Sequence, residues 1–171
     1  MLVPEGITNF AVYGDNNEFF GIAEAQLPKI AHMTETIKGA GIAGEIESVI
    51  LGHISAMEMT LSFRTLTKET MSLATPEQHQ LELRAAQQSR AQKGGKLTTT
   101  AVKYVVIGQA KETDPGKLAP AATADASVTF AVTYLAVFVG GEKVTEVDPL
   151  NFIFYMGGTD YLAETRKALG K

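Results

Sequence analysis

The chain of 171 residues contains no cysteine and no tryptophan. The first absence excludes disulfides, thiolate catalysis, zinc fingers and iron–sulfur clusters. The second removes a common anchor of sugar sites and binding hot spots. Charge of one sign is also scarce: 15 Lys+Arg stand against 19 Asp+Glu, for a net charge of −4. A protein that grips nucleic acid normally carries a basic stripe. The nearest approach is Arg84, Arg90, Lys93 and Lys96, spread over a hairpin pattern and read as solvated. The N-terminal residues lack a basic region followed by an apolar one, so no signal peptide is expected. The most apolar stretch, Val128 to Val139, is too short for a membrane helix and contains Thr129 and Thr133. These features predict a soluble protein made in the cytoplasm, without a membrane anchor.

What is present is alternation, the mark of half-buried strands. Met57, Met59, Leu61 and Phe63 alternate with Glu58, Thr60, Ser62 and Arg64. From Gln80 to Arg90, Leu81, Leu83 and Ala85 share a face that weakens toward Gln87 and Ser89, so this strand is expected to run past the core. Lys93-Gly94-Gly95-Lys96 reads as a hairpin turn. A return strand, Thr98 to Ala110, places Val102, Tyr104 and Val106 together. Asp114-Pro115-Gly116 is a turn, and Lys117 to Ala126 a loop. Ala126 to Val139 predicts a long strand with Val128, Phe130, Val132, Tyr134 and Phe138 on its core face. Leu135 and Val137 make the other face apolar too, so both sides need cover. After a tight turn at Gly140-Gly141, one strand is expected from Lys143 to Tyr155, with Pro149 at a bulge or edge. An N-terminal hairpin is predicted from Asn9 to Tyr13, a turn at Gly14–Asn17, and Glu18 to Leu27.

Two short helices fit. Thr67 can cap the first, with Leu66 and Met71 as a hydrophobic staple and Pro76 beyond its end. The second is expected from Asp160 to Leu169, capped by Asp160, with Arg166 and Lys167 at the negative end of the dipole. Leu162 and Leu169 are expected to pack down together. The sum is a single domain over 1–171, mainly β (α+β): an antiparallel sandwich or barrel with two helices at its flank.

No catalytic pattern stands out. Gly39-Ala40-Gly41-Ile42-Ala43-Gly44 matches the dinucleotide fingerprint G-x-G-x-x-G. That fingerprint requires a preceding apolar strand and a following helix, so that pyrophosphate meets the helix N-terminus. Here a polar stretch, Met33 to Lys38, precedes it and an alternating strand follows. The glycines read instead as a loop that needs their backbone freedom. His32, His53 and His79 lack metal-ligand spacing. Glu45 and Glu47 share a strand face, but nothing adjacent in sequence would tune them for acid–base work. Neither a nucleophile elbow nor a P-loop lysine occurs. The expectation is a non-enzyme without catalytic residues, cofactor or metal.

Four places, in order over residues 9–170, give the chain a resemblance to the major tail tube proteins of contractile-tailed phages and R-type bacteriocins. They are Gln26-Leu27-Pro28-Lys29, the loop Lys38 to Gly44, Glu146-Val147-Asp148-Pro149-Leu150-Asn151, and Gly157-Gly158-Thr159-Asp160-Tyr161-Leu162 running into Arg166-Lys167-Ala168-Leu169-Gly170. Between Thr75 and Asp125 only the strand pattern matches. The resemblance implies hexameric rings stacked as a tube inside a contractile sheath, with sheets joined across subunits. It implies partners: the chain itself, a sheath protein, baseplate and tail terminator proteins, and a tape-measure protein in the lumen. It also implies that a long hairpin at about 37–49 reaches the neighbouring ring, shaped by Gly39, Gly41 and Gly44, with Ile42 and Ile46 as apolar contacts. An acidic bore would then let DNA slide rather than stick. A type VI secretion-like tube subunit and a β-sandwich ligand-binding module are the alternative readings.

Overall fold

The computed structural model describes residues 1–14, 17–19 and 21–171, the backbone alone at 17–19. Its strands are β1 (Leu2–Gly14), β2 (Asn17–Phe19), β3 (Ile22–Gln26), β4 (His32–Lys38), β5 (Glu45–Ile54), β6 (Met57–Phe63), β7 (Gln78–Ala91), β8 (Leu97–Asp114), β9 (Ala126–Val139), β10 (Glu142–Asp148), β11 (Ile153–Met156) and β12 (Thr159–Asp160). Helix α1 (Lys68–Ser72) lies between β6 and β7, and α2 (Ala163–Ala168) follows β12. The fold is mainly antiparallel β, as the alternation predicts. Of the N-terminal turn expected at Gly14–Asn17, Asp15 and Asn16 lie outside the described residues.

All but β4 and β5 belong to one sheet system, ordered β12-β11-β10-β9-β8-β7-β1-β2 with β3 and β6 branching from it. The branch point is β9. One edge of β9 runs along β8. Its other edge is divided, with Ala126–Val132 pairing with β6 and Leu135–Val139 with β10. Dividing one long strand between two neighbours lets the sheet fold over itself. A single core results, including Val12, Met59, Leu61, Phe63, Leu83, Val106, Val128, Phe130, Leu135, Val147 and Phe154. The Met57–Phe63 strand has the expected bounds, and all four of its alternating apolar residues are buried.

The expected core face of β9 holds only for its first half. The register against β8 passes from Gly108↔Val132 to Ile107↔Tyr134, leaving Thr133 as the extra residue of a bulge. A single inserted residue reverses which side chains face inward. Val128, Phe130 and Val132 therefore point into the core before the bulge and Leu135 after it, while Tyr134 and Phe138 are only half-buried, outside the main core cluster. Gly108 makes the bulge possible, since a β-carbon there would lie 2.6 Å from the Ala131 carbonyl oxygen.

The segment expected as one strand from Lys143 to Tyr155 is two strands and a turn. Asp148 accepts from the backbone N–H of Asn151 at 3.2 Å and from its side-chain amide at 2.7 Å. Phe152 takes a φ of 55°. Pro149 lacks the N–H that would continue the ladder, and the Asp148 side chain supplies an alternative that reverses the chain. Ser89, expected beyond the core, is buried between its register partners Pro4 and Thr98 on the flanking strands.

Thr67 caps α1, accepting from the Thr70 N–H at 3.2 Å, while Thr70 Oγ1 accepts from the Thr67 N–H at 2.8 Å. Leu66 and Met71, expected as a staple, are both exposed; Thr70 and Leu73 are the residues buried here. At α2 the stripe is half right. Leu162 is buried, whereas Leu169 is exposed because the helix ends before Leu169 can turn inward. Asp160, expected to start and cap the helix, lies instead in β12; it accepts the Leu162 N–H at 3.1 Å, but Leu162 is the N-cap and no side chain caps α2.

Candidate interaction surface

Strands β4 and β5 form a separate two-stranded sheet that projects from the body. The hairpin is longer than 37–49 at both ends. Its register pairs Ile37 with Ile46, Glu35 with Ser48, and Thr36 with Glu47. Alternation then places Ile37 and Ile46 on one face together with Glu35, Ser48 and Met33, and past the Thr34–Val49 pair a register shift interrupts it, with Ile50 next in the chain. All four apolar side chains are exposed. The opposite face carries Thr34, Thr36, Lys38, Glu45 and Glu47, with the exposed Val49 toward the base. There Thr34 donates to Glu47 at 2.6 Å and Lys38 lies 3.5 Å from Glu45. Glu45 and Glu47 do share a face, and these two contacts give them the role of cross-strand partners. An isolated hairpin of this kind is only marginally stable in water, so its exposed apolar side chains mark it as an interaction surface.

The expected tip glycines all fall in the turn. Gly39, Gly41 and Gly44 have φ of 148°, 91° and 143°. No heavy atom crowds the space where their β-carbons would lie, so backbone conformation, not packing, calls for glycine. The Ile42 N–H donates to the Gly39 carbonyl at 3.2 Å and its side chain is exposed at the tip. Ile46 sits beyond the turn, beside Ile37. The glycine-rich segment thus joins two strands, and the geometry of a dinucleotide fingerprint, strand to helix, is not what it adopts.

The hairpin base is fixed to the body through His32, Gly52 and Ile54, the last packed against the core cluster. The His32 and Phe154 rings meet edge-on with centroids 5.2 Å apart. Gly52, at φ 71°, packs directly on the Leu162 side chain. His79 is bound elsewhere, its ring edge-on to Phe130 and its Nε2 3.1 Å from the Thr75 carbonyl, while His53 is exposed. Among the described residues, no three His, Asp or Glu side chains gather as a metal site.

A second apolar surface lies where the fold is open. Ile7 and Phe10 of β1, Ala25 and Leu27 at the end of β3, Leu83 and Ala85 of β7, and Tyr104 of β8 line a groove of about 180 Å³. Sequence periodicity did not reveal it: Leu83, Ala85 and Tyr104 read as apolar strand faces like any other. The signal available was the run Leu2, Val3 and Ile7 at the start of β1, all of which are exposed.

The outer face of β9–β11 is polar and internally neutralised. Tyr134 donates to Glu146 at 2.9 Å, and Lys143 pairs with the same carboxylate. The hydrogen bond from Lys143 holds the Glu146 carboxyl below its usual range, and Tyr134 adds to this. Burial, with the Glu146 charge beside it, pushes Tyr134 up to about 12. Nearby, Arg166 pairs with Asp160 at 2.6 Å and donates to the Phe152 carbonyl at 2.7 Å. That ion pair lowers the Asp160 carboxyl and clamps α2 to the turn before β11. Two basic residues of the β7–β8 hairpin are likewise engaged, Arg84 with Glu82 and Arg90 with Glu5. They form no free cationic stripe.

A family model described as phage tail tube protein FII matches residues 4–170. The tail tube protein of Escherichia phage P2 is 24% identical over 180 residues, covering 99% of this chain and 99% of that one. Among solved structures, the cryo-EM structure of an extracellular contractile injection system, PVC sheath/tube terminator in the extended state, superposes with a TM-score of 0.54 at 10% identity. It covers 79% of this chain and 96% of its own, a likeness of fold.

Proposed function

The chain belongs to the phage tail tube protein FII family, and on that premise we propose how this tail tube subunit assembles. Copies close into hexameric rings, and the rings stack into the hollow inner tube of a contractile tail. The single observation that carries this reading is the β4–β5 hairpin. It projects from the body and exposes Met33, Ile37, Ile46, Val49, Ile50 and Leu51. Met33, Ile37, Ile46 and Ile50 are each about half exposed, so burying them against another copy would contribute on the order of 0.7–1.5 kcal/mol per side chain. The tip at Gly39, Gly41, Ile42 and Gly44 then lies at the contact between rings.

The role is structural and not enzymatic. Sheath, baseplate, terminator and tape-measure proteins are its partners in the particle. Each subunit brings a net charge of −4, which favours a bore from which DNA phosphates are repelled. Sedimentation tests the reading. Purified protein at rising concentration is expected to pellet as long polymers, and a species that stays monomeric throughout contradicts it.

A further inference from the structure

Two segments far apart in sequence lean on each other. Among the described residues, β4 and β5 pair only with one another, and a two-stranded hairpin is marginal by itself in water. The segment from β11 to α2 has little more local support. Strand β12 is two residues long, α2 is six, and no side chain caps the helix. A helix so short does not persist without tertiary contacts. The two segments share their anchors. His32 of β4 meets Phe154 of β11 edge-on, and Phe154 meets the Tyr161 ring with centroids 6.2 Å apart. Gly52 of β5 packs on Leu162 at the start of α2. Phe154 and Leu162 are both buried, so these contacts are dry.

One side chain closes the arrangement. Arg166 donates through Nη2 to Asp160 at 2.6 Å and through Nη1 to the Phe152 carbonyl at 2.7 Å. It thereby ties α2 both to β12 and to the turn that leads into β11. The Arg166 and Asp160 side chains are 27% and 25% exposed. A guanidinium that satisfies two acceptors in a half-dry site holds more firmly than an exposed ion pair. The centre of the large sheet is built differently: Gln78–Arg90 of β7 pair with Leu97–Gln109 of β8 without interruption. Proteins open in contiguous cooperative units of unequal stability. We infer that the β4–β5 hairpin and the segment from β11 to α2 open together as one such unit while the β7–β8 ladder stays closed, and that Arg166 sets how often they open. The coupling belongs to the unassembled chain and stands whether or not the hairpin joins copies. In a subunit that does join copies, a partner bound on α2 would steady the hairpin, because it would favour the closed unit.

Native-state hydrogen exchange, read by NMR on the full chain before it polymerises, tests this. One reporter is the Ser55 N–H, bonded to the Ala31 carbonyl at the hairpin base. A second is the Tyr161 N–H, bonded to the Phe154 carbonyl. The amides of the β7–β8 ladder are the reference. In Arg166→Ala, Ser55 and Tyr161 are expected to exchange several-fold faster, by the same factor, with the reference amides unchanged. Acceleration at Tyr161 alone overturns the coupling, since the hairpin is then anchored independently. Equal acceleration of the reference amides overturns it too, since the opening is then global. No acceleration anywhere removes Arg166 from the role. Arg166→Lys keeps the charge but cannot hold both acceptors, and it repeats the test should the alanine chain fail to fold. The unaltered chain gives an independent check at low urea. Ser55 and Tyr161 should share one opening free energy and one urea slope, both below those of the ladder; separate slopes contradict a common unit.

Discussion

Gly52 sits so close to Leu162 that a β-carbon at residue 52 would lie 2.2 Å from Leu162 Cδ2, and it does so at a φ of 71°. Both conditions call for glycine, the first by contact and the second by conformation. The pair fastens the base of the projecting hairpin to the start of the C-terminal helix. Gly52→Ala is therefore expected to destabilise the chain by about 1–3 kcal/mol, from backbone strain and overpacking. Urea unfolding measures it. Adding Leu162→Ala to Gly52→Ala should remove the clash but not the φ strain, so the two changes should combine non-additively.

The two leucines of the C-terminal segment should separate clearly. Leu162 is 5% exposed and Leu169 is 55% exposed. Leu162→Ala is expected to cost roughly 2–5 kcal/mol as a core truncation. Leu169→Ala should stay within about 0.5 kcal/mol, as surface changes do. Removal of residues 160–171 deletes Leu162 and the Asp160–Arg166 clamp together, and a clear drop in melting temperature should follow.

At the hairpin tip, Ile42→Asp should leave the monomer folded, since Ile42 lies on the projecting turn outside the core cluster. Tube formation should fall sharply, because a carboxylate would have to be desolvated at the contact. Circular dichroism checks the fold and pelleting checks assembly; normal tubes from this variant would remove the tip from the interface.

Stability should depend on pH at both extremes. Glu146 and Asp160 have lowered folded-state carboxyl pKa values. Their contribution is present above the ordinary carboxylate range and is lost as pH falls through their lower folded values. Tyr134 is raised to about 12. Its contribution is complete below about 10, the unfolded value, and is lost between there and about 12. In Tyr134→Phe the alkaline loss over that window should shrink, as urea midpoints measured from pH 9 upward would show.

Much of the fold was legible because alternation and turn chemistry act locally. Met57–Phe63 and Ala126–Val139 have the bounds that their patterns predict, and the Gly94-Gly95 and Gly140-Gly141 turns fall where the glycines do. Errors arose where one residue changes the phase. The bulge at Thr133 turns Tyr134 and Phe138 out of the core, and no composition signal marks it except Gly108 on the neighbouring strand, whose role needs the pairing to be known. Strand β4 was hidden by its polar Thr34-Glu35-Thr36, although Met33 and Ile37 keep the period. The glycines of the turn were readable from sequence as a loop, whereas the Ile37–Ile46 pair emerges only from the strand register. The groove was not, since an apolar residue facing a gap between sheet edges has the same pattern as one facing a closed core.

Negative-stain electron microscopy of the purified chain tests the central claim most directly. Rings or long tubes with a central channel and six-fold end views are expected. Isolated, compact particles at every concentration, with the chain folded, would contradict assembly into a tube.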